Sequence, residues 1–303
     1  MEEKKIKTGI VGIIGKTNSG KSTLINQLTG YKISIVSEKP QTTRFNIKGV
    51  LNIKDEAQII FIDTPGILKP HNELGKMMLN EIKEITPDVD LILYLVAADE
   101  LIKEENNELL FSENLMDYKV FLVINKIDRI TKEELLTLID KYKDVKWIKE
   151  IIPISARKGI NINELKKTII KELDYGEKFY DDNCIDDLSD NMYIAEIIRE
   201  KAINLTYQEV PYSIAVEVID VHKTEKKVLY ISAVIYVEKE SHKGIVIGKK
   251  GNLIKQIGTL AREELEETLE EKIYLDLTVR VKKDWRKDIH FIKSIYKKLD
   301  DEE

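Results

Sequence analysis

Hydrophobic residues in the first half of the chain fall in short unbroken runs, separated by stretches whose apolar positions recur every three or four residues. The runs Gly9–Ile14, Ile59–Ile62, Leu91–Val96, Val120–Ile124 and Ile151–Ile154 read as strands buried on both faces, because a half-exposed strand would alternate. Lys21–Leu28, Glu73–Ile85, Glu133–Tyr142 and Ile162–Leu173 carry the helical period between them. Strand followed by helix, repeated, predicts a doubly wound α/β domain with a mostly parallel sheet over residues 1–174.

The rhythm stops over residues 175–191, an acidic and polar tract expected to link two domains. A different order follows over residues 192–303. It has a helix (Met192–Asn204), two alternating strands (Tyr212–Val221 and Val228–Val237), a glycine-containing loop, a helix (Asn252–Glu271) and a strand (Tyr274–Val281). That order predicts an α+β domain rather than more of the first fold.

Composition changes this picture in three places. At 303 residues, with 43% hydrophobic and 34% charged residues, the chain suits two folded domains and excludes general disorder. The N-terminal apolar stretch is too short to span a bilayer and lacks the form of a signal peptide, so a cytoplasmic protein is expected. Cys184 is the single cysteine, which excludes an intramolecular disulfide and a cysteine-based zinc site. The net charge of −6 does not advertise a nucleic-acid binder. Its distribution is more informative: Lys239, Lys243, Lys249, Lys250, Lys255 and Arg262 face one acid, Glu240, and a second basic run spans Arg280–Lys287.

Chemistry enters with GKTNSGKS, Gly15–Ser22, which follows a predicted strand and opens a predicted helix. Gly15 and Gly20 let the backbone curl so that successive N–H groups point at phosphate oxygens, and the helix N-terminus adds its dipole. Lys21 is placed to bridge the β- and γ-phosphates and Ser22 to ligate Mg²⁺; Asn18, Ser19 and Thr23 complete the nucleotide-binding loop. DTPG closes the Ile59–Ile62 strand, so Asp63 reaches the metal from the second side and the Gly66 N–H senses the γ-phosphate. In the intervening loop KPQTTRF, Thr43 is the first choice to complete the metal shell, with Thr42 close behind. Lys21, Thr43 and Gly66 form the expected catalytic set.

NKID, Asn125–Asp128, selects the base. Asp128 can accept from the N1–H and exocyclic amine of guanine, which adenine does not offer in that geometry. Asn125 ties the loop to the phosphate loop, Lys126 packs along the ring, and the tripeptide Ser155-Ala156-Arg157 places an Ala156 N–H toward guanine O6. GTP and GDP are the implied nucleotides. Ras-like switches carry a water-orienting glutamine just after the DxxG glycine; Ile67 stands there, so slow intrinsic turnover is expected. Asn18 occupies the position at which related GTPases hold K⁺, the alternative being that it only caps the loop.

In the second half, Gly248-Lys249-Lys250-Gly251 is a GxxG loop ahead of an amphipathic helix, the device by which KH domains clamp single-stranded backbone. Lys249, Lys250 and Lys255 supply charge, and Ile247, Leu253 and Ile254 either line an apolar groove or belong to the core.

GKTNSGKSTLIN, QTTR, DTPG, NKID, EIIREK, VPYSIAVEV and IVIGKKGNLIKQIG together resemble the Era GTPases over nearly the whole chain. The resemblance implies a Ras-like P-loop GTPase domain followed by a type II KH domain. It further implies binding to the 3′ end of small-subunit ribosomal RNA and a role in assembling the 30S-type subunit. A cytoplasmic monomer, in part at the inner membrane face, is the expected form. Two other readings stay open: an RNA scaffold with negligible turnover, and, ranked last, a membrane-proximal signalling GTPase.

Overall fold

A computed structural model describes residues 5–39, 42–66, 73–74, 77–78, 88–103, 115 and 117–296. The predicted helix Glu73–Ile85 falls mostly outside these residues, as does Ile67. The chain divides into two units. The first comprises Met1–Ser34, Thr43–Lys69 and Met78–Asp187; the second comprises Ile35–Thr42, Pro70–Met77 and Leu188–Glu303.

The first unit is built on a seven-stranded sheet: β1 (Ile6–Ile14), β2 (Ile47–Ile53), β3 (Ala57–Asp63), β4 (Leu91–Ala97), β5 (Val120–Asn125), β6 (Ile148–Pro153) and β7 (Asp174–Gly176). The order is β2-β3-β1-β4-β5-β6, with β7 antiparallel to β1. Every residue of β3, β4 and β5 is buried, which is why apolar runs such as Ile59–Ile62 and Val120–Ile124 dominate them. Helices α1 (Lys21–Thr29), α2 (Ala98–Lys103), α3 (Lys132–Tyr142) and α4 (Ile162–Glu172) cover it. Leu24, Ile25 and Leu28 of α1 and Leu165 and Ile169 of α4 join Val11, Phe61 and Leu93 in one core. Parallel pairing of β1 with β3 and of β4 with β5 brings Ile13 beside Asp63 and Ala97 beside Asn125. The motif-bearing loops therefore leave the same carboxyl edge of the sheet, where open α/β folds bind ligands.

Two features of this unit depart from the sequence reading. Strand β2 pairs antiparallel to β3, an edge strand that the mixed sequence IKGVLNI did not announce. The tract expected to be a linker is an arm laid on the first unit. Val50 N–H donates to the Ile185 carbonyl at 2.8 Å, and the Asn52 amide donates to the Asp182 and Cys184 carbonyls. Gln58, wholly buried, accepts from Phe179 and Tyr180 N–H at 2.7 and 3.0 Å and donates to the Tyr180 carbonyl at 2.8 Å. A buried side-chain amide with all these partners fixes the arm in register.

The second unit runs α5 (Asp190–Leu205), β8 (Ala215–Lys223), β9 (Leu229–Val237), α6 (Glu240–Ile247), α7 (Asn252–Leu269), β10 (Ile273–Val281) and α8 (Ile289–Tyr296). Its sheet has the order β10-β9-β8, with β10 parallel to β9 and β8 antiparallel to it. Ile194, Ile197, Ile198 and Ala202 of α5 and Ile257, Ala261 and Leu265 of α7 pack on Ile231, Ala233 and Ile235 of β9. Helix α6 corrects the sequence reading, in which its apolar end counted as part of the approach to the loop. The β-branched run IVI locally favours extended chain; packing of Val246 into the core and of His242 on Ser213, at 2.9 Å, holds it helical instead. Trp285 anchors the end of the fold: it is wholly buried and its indole N–H donates to the Ser213 carbonyl at 2.8 Å.

Candidate functional site: a nucleotide loop cluster and a GxxG loop

The phosphate loop joins β1 to α1, and its glycines are dictated by space. A Cβ on Gly15 would lie 2.3 Å from the Leu95 carbonyl oxygen, and one on Gly20, at φ 101°, would lie 2.3 Å from the Asn125 amide nitrogen. Asn18 also adopts a left-handed φ of 62°. Lys21 is buried, and its ammonium donates to the Gly15 and Lys16 carbonyls at 3.1 and 3.0 Å. Burial lowers its pKa to about 8, with Asp63 pulling the other way. Asp63, also buried, has its pKa raised by burial against the opposing effects of Lys21, Ser34, Ser22 and Thr43. Thr23 lies half-buried on α1, and Ser19 is fully buried.

Three hydroxyls converge on that carboxylate. Ser22 Oγ and Thr43 Oγ1 lie 2.9 Å apart; Thr43 donates to Asp63 Oδ2 at 3.3 Å and Ser34 donates to the same oxygen at 2.7 Å. The other oxygen, Asp63 Oδ1, is buried with no hydrogen-bond partner. Two hydroxyls and a carboxylate with a spare buried oxygen form a hard-oxygen donor set, the chemistry that suits Mg²⁺. Among the described residues no cluster of three or more His, Cys, Asp or Glu offers another metal site. Of the two candidate threonines, Thr43 is thus the one at the carboxylate, whereas the Thr42 hydroxyl donates to the Lys39 carbonyl of its own loop. Ser34 was not foreseen, because it belongs to no motif; Asn26 of α1 places it, accepting from the Ile33 and Ser34 N–H groups at 2.9 Å. Gly66 approaches the phosphate loop so closely that a Cβ there would lie 2.9 Å from Thr17 N.

Asn125 holds the base-side loops together. Its amide donates to the Ser19 carbonyl at 2.8 Å, while its oxygen accepts from Lys126 N–H at 2.8 Å and Ala156 N–H at 3.0 Å. The Ala156 N–H, expected to face guanine O6, donates to Asn125 and so fastens one loop to the other. Asp128 accepts from the Ser155 hydroxyl at 2.6 Å and has Lys158 at 3.8 Å. The Ser155 hydrogen bond leads the causes that hold the Asp128 carboxyl below its ordinary pKa, keeping it an acceptor at neutral pH. Lys126 sits in a left-handed backbone conformation at φ 64°, and Arg157 is exposed beside this cluster.

In the second unit Gly248, at φ 74°, tightens the turn between α6 and α7; a Cβ there would lie 2.8 Å from Leu253 N. A Cβ on Gly251, at φ 77°, would meet nothing within 4 Å, so that glycine serves the backbone conformation. Lys249, Lys250 and Lys255 are exposed. Ile247, Leu253 and Ile254 pack against the core, and Ile254 also faces a groove of about 460 Å³ between α7 and β10, with Gly258, Arg262, Leu275 and Leu277.

Of the segment Ile35–Thr42, counted within the second unit, the described residues Ile35–Lys39 and Thr42 are docked on α5. Ile35 lies in that unit's core. Val36 N–H donates to Glu200 at 2.9 Å, Ser37 donates to Asn204 at 2.7 Å, and the Lys39 ammonium donates to the carbonyls of Ile203 and Thr206. Arg199, buried and paired with Glu196 at 2.6 Å, donates to the Thr42 carbonyl.

Comparison with known proteins agrees with this geometry. Residues 10–126 match the family described as 50S ribosome-binding GTPase, and residues 209–286 match the KH domain. The chain is 44% identical over 290 residues to GTPase Era of Clostridium kluyveri, covering 96% of this chain and 99% of that one. It is 45% identical over 298 residues to GTPase Era of Lactobacillus helveticus, covering 97% of each. Era crystallised with MgGDPNP and nucleotides 1506–1542 of 16S ribosomal RNA superposes with a TM-score of 0.92 at 43% identity, covering 96% of this chain and 99% of that one. A variant of Aquifex aeolicus Era bound to GDP and aluminium fluoride matches equally well. A phosphate loop tied to the NKID loop, a hard-oxygen donor set and a GxxG-bearing α+β domain, matched end to end by these relatives, make the chain a GTPase of the Era family.

Proposed function

We propose that this GTPase binds the 3′ end of small-subunit (16S-type) ribosomal RNA through its KH domain, assists assembly of the 30S-type subunit, and ends each engagement by hydrolysing GTP. The observation that carries the RNA reading is the exposed Lys249-Lys250 pair on a loop of two positive-φ glycines that opens α7, the helix whose Ile254 and Lys255 line the groove beside β10. The Era relative crystallised with 16S RNA nucleotides supports the choice of ligand. The test is binding to an oligonucleotide of that 3′ end at fixed salt, with a non-hydrolysable GTP analogue and then with GDP. Reversing both charges, Lys249→Asp/Lys250→Asp, is expected to weaken binding more than tenfold and to flatten its salt dependence. Unchanged binding in that variant would remove the KH reading and leave only the GTPase.

At the nucleotide, Ser22, Thr43 and Asp63 are the residues that would hold Mg²⁺, which when bound neutralises charge on the β- and γ-phosphates. Lys21 carries charge to the same phosphates from a buried site, and the Gly66 N–H lies beside the loop that cradles them. Asn18 is our assignment for a K⁺-dependent residue. Hydrolysis is expected to run faster in K⁺ than in Na⁺, and Asn18→Ala to erase the difference; equal wild-type rates in the two salts would rule the assignment out.

Nucleotide state reaches the RNA-binding unit, in this reading, through the segment Ile35–Thr42. Its last residue precedes Thr43, which lies at the metal-binding carboxylate, while its body is docked on α5. A segment whose residues Val36, Ser37, Lys39 and Thr42 contact α5 and whose next residue, Thr43, lies at the metal-binding carboxylate meets the requirement that both sites bias one element. The same reading takes the chain as a cytoplasmic monomer with peripheral contact at the inner membrane face. Among the described residues no helix is long and apolar enough to cross a membrane.

A further inference from the structure

The KH sheet has one face packed on α5 and α7 and an opposite face that carries the alternate residues of each strand. At one end of that opposite face three rings lie in register across the three strands: His222 of β8, Tyr230 of β9 and Tyr274 of β10. The His222 and Tyr230 ring centroids are 5.0 Å apart at 30°; those of Tyr230 and Tyr274 are 5.7 Å apart at 11°, an offset stack. Side chains on neighbouring strands stand side by side, so stacked rings cover one another's faces. Only the end of such a row has a π-face left over. Here the row has two ends, His222 on β8 and Tyr274 on β10, both edge strands, and of the two only Tyr274 lines the groove between α7 and β10. Tyr274 is 61% exposed, although its strand is paired with β9 along its whole length.

The position of this face matters as much as its exposure. Tyr274 also lines the groove between α7 and β10, together with Ile254, Arg262 and Leu277. Because β10 is an edge strand, a strand of RNA that followed this groove past Tyr274 would reach the ring at the rim of the sheet. The ring is braced from behind: Tyr230 stacks on it and donates its own hydroxyl to Asp276 at 3.4 Å, and His222 is paired with Asp220 at 2.9 Å. A braced aromatic face at the end of a single-strand groove is the arrangement that takes an unstacked base, since every base offers a π-face.

Building on the RNA reading above, we infer that Tyr274 is a base-stacking subsite. One base of the bound single strand, outside the roughly four nucleotides clamped by the GxxG loop, stacks on its outer face and extends the Tyr230–His222 row. The contact is sequence-tolerant and depends on the ring rather than on the hydroxyl.

The experiment measures binding of the 3′-end oligonucleotide, in a four-nucleotide and a ten-nucleotide form, to wild type, Tyr274→Ala, Tyr274→Phe and Lys249→Asp/Lys250→Asp. A 2-aminopurine scanned through the longer form reports stacking by quenching. Tyr274→Ala is expected to weaken the ten-nucleotide form about tenfold, the size of one base–aromatic stack, to leave the four-nucleotide form unchanged, and to abolish quenching at one position. Tyr274→Phe should behave as wild type. Equal affinity of wild type and Tyr274→Ala for the longer form, with binding still lost in the lysine variant, overturns the subsite and leaves the KH reading intact. Equal binding by the lysine variant instead overturns the KH reading itself. The carboxylates Asp220 and Asp276 beside the row define a rival occupant, a basic protein segment. Capture of an oligoarginine peptide that depends on Tyr274, without the RNA effect, would assign the face to protein instead.

Discussion

Exchanging Asp128 for asparagine is expected to lower GTP affinity by about 10⁴-fold, the scale on which polar sites reject a mispaired ligand, and to create affinity for xanthosine triphosphate. Guanine presents two donors, N1–H and the exocyclic amine, to a carboxylate that can only accept. An asparagine amide presents one acceptor and one donor, which leaves two N–H groups facing each other over guanine. Xanthine has a carbonyl in place of that amine and satisfies the asparagine. The exchange is conservative for the fold, since asparagine can still accept from the Ser155 hydroxyl that now lies 2.6 Å from Asp128. What it gives up locally is the Lys158 ion pair at 3.8 Å, a partly exposed contact of little energetic weight. Titration with both nucleotides checks the outcome. Unaltered GTP binding would mean that this loop does not read the base.

The second large effect is expected at Arg199. Its guanidinium is buried against Glu196, within reach of the Thr42 carbonyl. Arg199→Ala strands the Glu196 carboxylate without its partner, and breaking a buried pair in this way costs about 3–5 kcal/mol. Thermal or urea unfolding should show the loss in the KH unit. The paired replacement Glu196→Leu/Arg199→Met removes both charges together and is expected to restore most of that stability. It does not restore the hydrogen bond to Thr42. If the segment Ile35–Thr42 relays nucleotide state, the double variant binds RNA with the same affinity in GTP-analogue and GDP forms. A double variant that keeps the wild-type difference would show that the relay runs elsewhere.

Much of the nucleotide site was readable in the sequence because its chemistry is carried by backbone geometry. Gly15 and Gly20 are required by carbonyl and amide atoms that would collide with any side chain, and such requirements leave a fixed spacing in the chain. The sheet was readable for a related reason: β3, β4 and β5 are buried on both faces, so their sequences are apolar apart from Gln58, Asp63 and Asn125, each of which is hydrogen-bonded. What escaped was decided by tertiary contacts. Strand β2 lies at the sheet edge, where half its residues tolerate water and its periodicity blurs. Helix α6 carries IVI, whose local preference is extended, and takes its form from packing. Ser34 contributes a hydroxyl that any loop serine could have offered; its role follows from Asn26, eight residues earlier in the chain, which sets its backbone. The docking of Ile35–Thr42 on α5 joins residues more than 150 positions apart in the chain, a distance over which no periodicity carries information.

The arm that Gln58 holds determines where the GTPase half can be separated from the rest. Composition places the seam in the acidic tract and invites a cut after Asp174. A fragment ending there would strip Gln58 of its hydrogen bonds to Phe179 and Tyr180 and open a buried amide to water. Carried through to Asp187, the fragment retains its own seal, including the Lys48 N–H bond to the Asp187 carboxylate at 3.1 Å. The acidic tract is thus part of the first half's wall, and the chain leaves that unit only at Leu188, two residues before α5 begins.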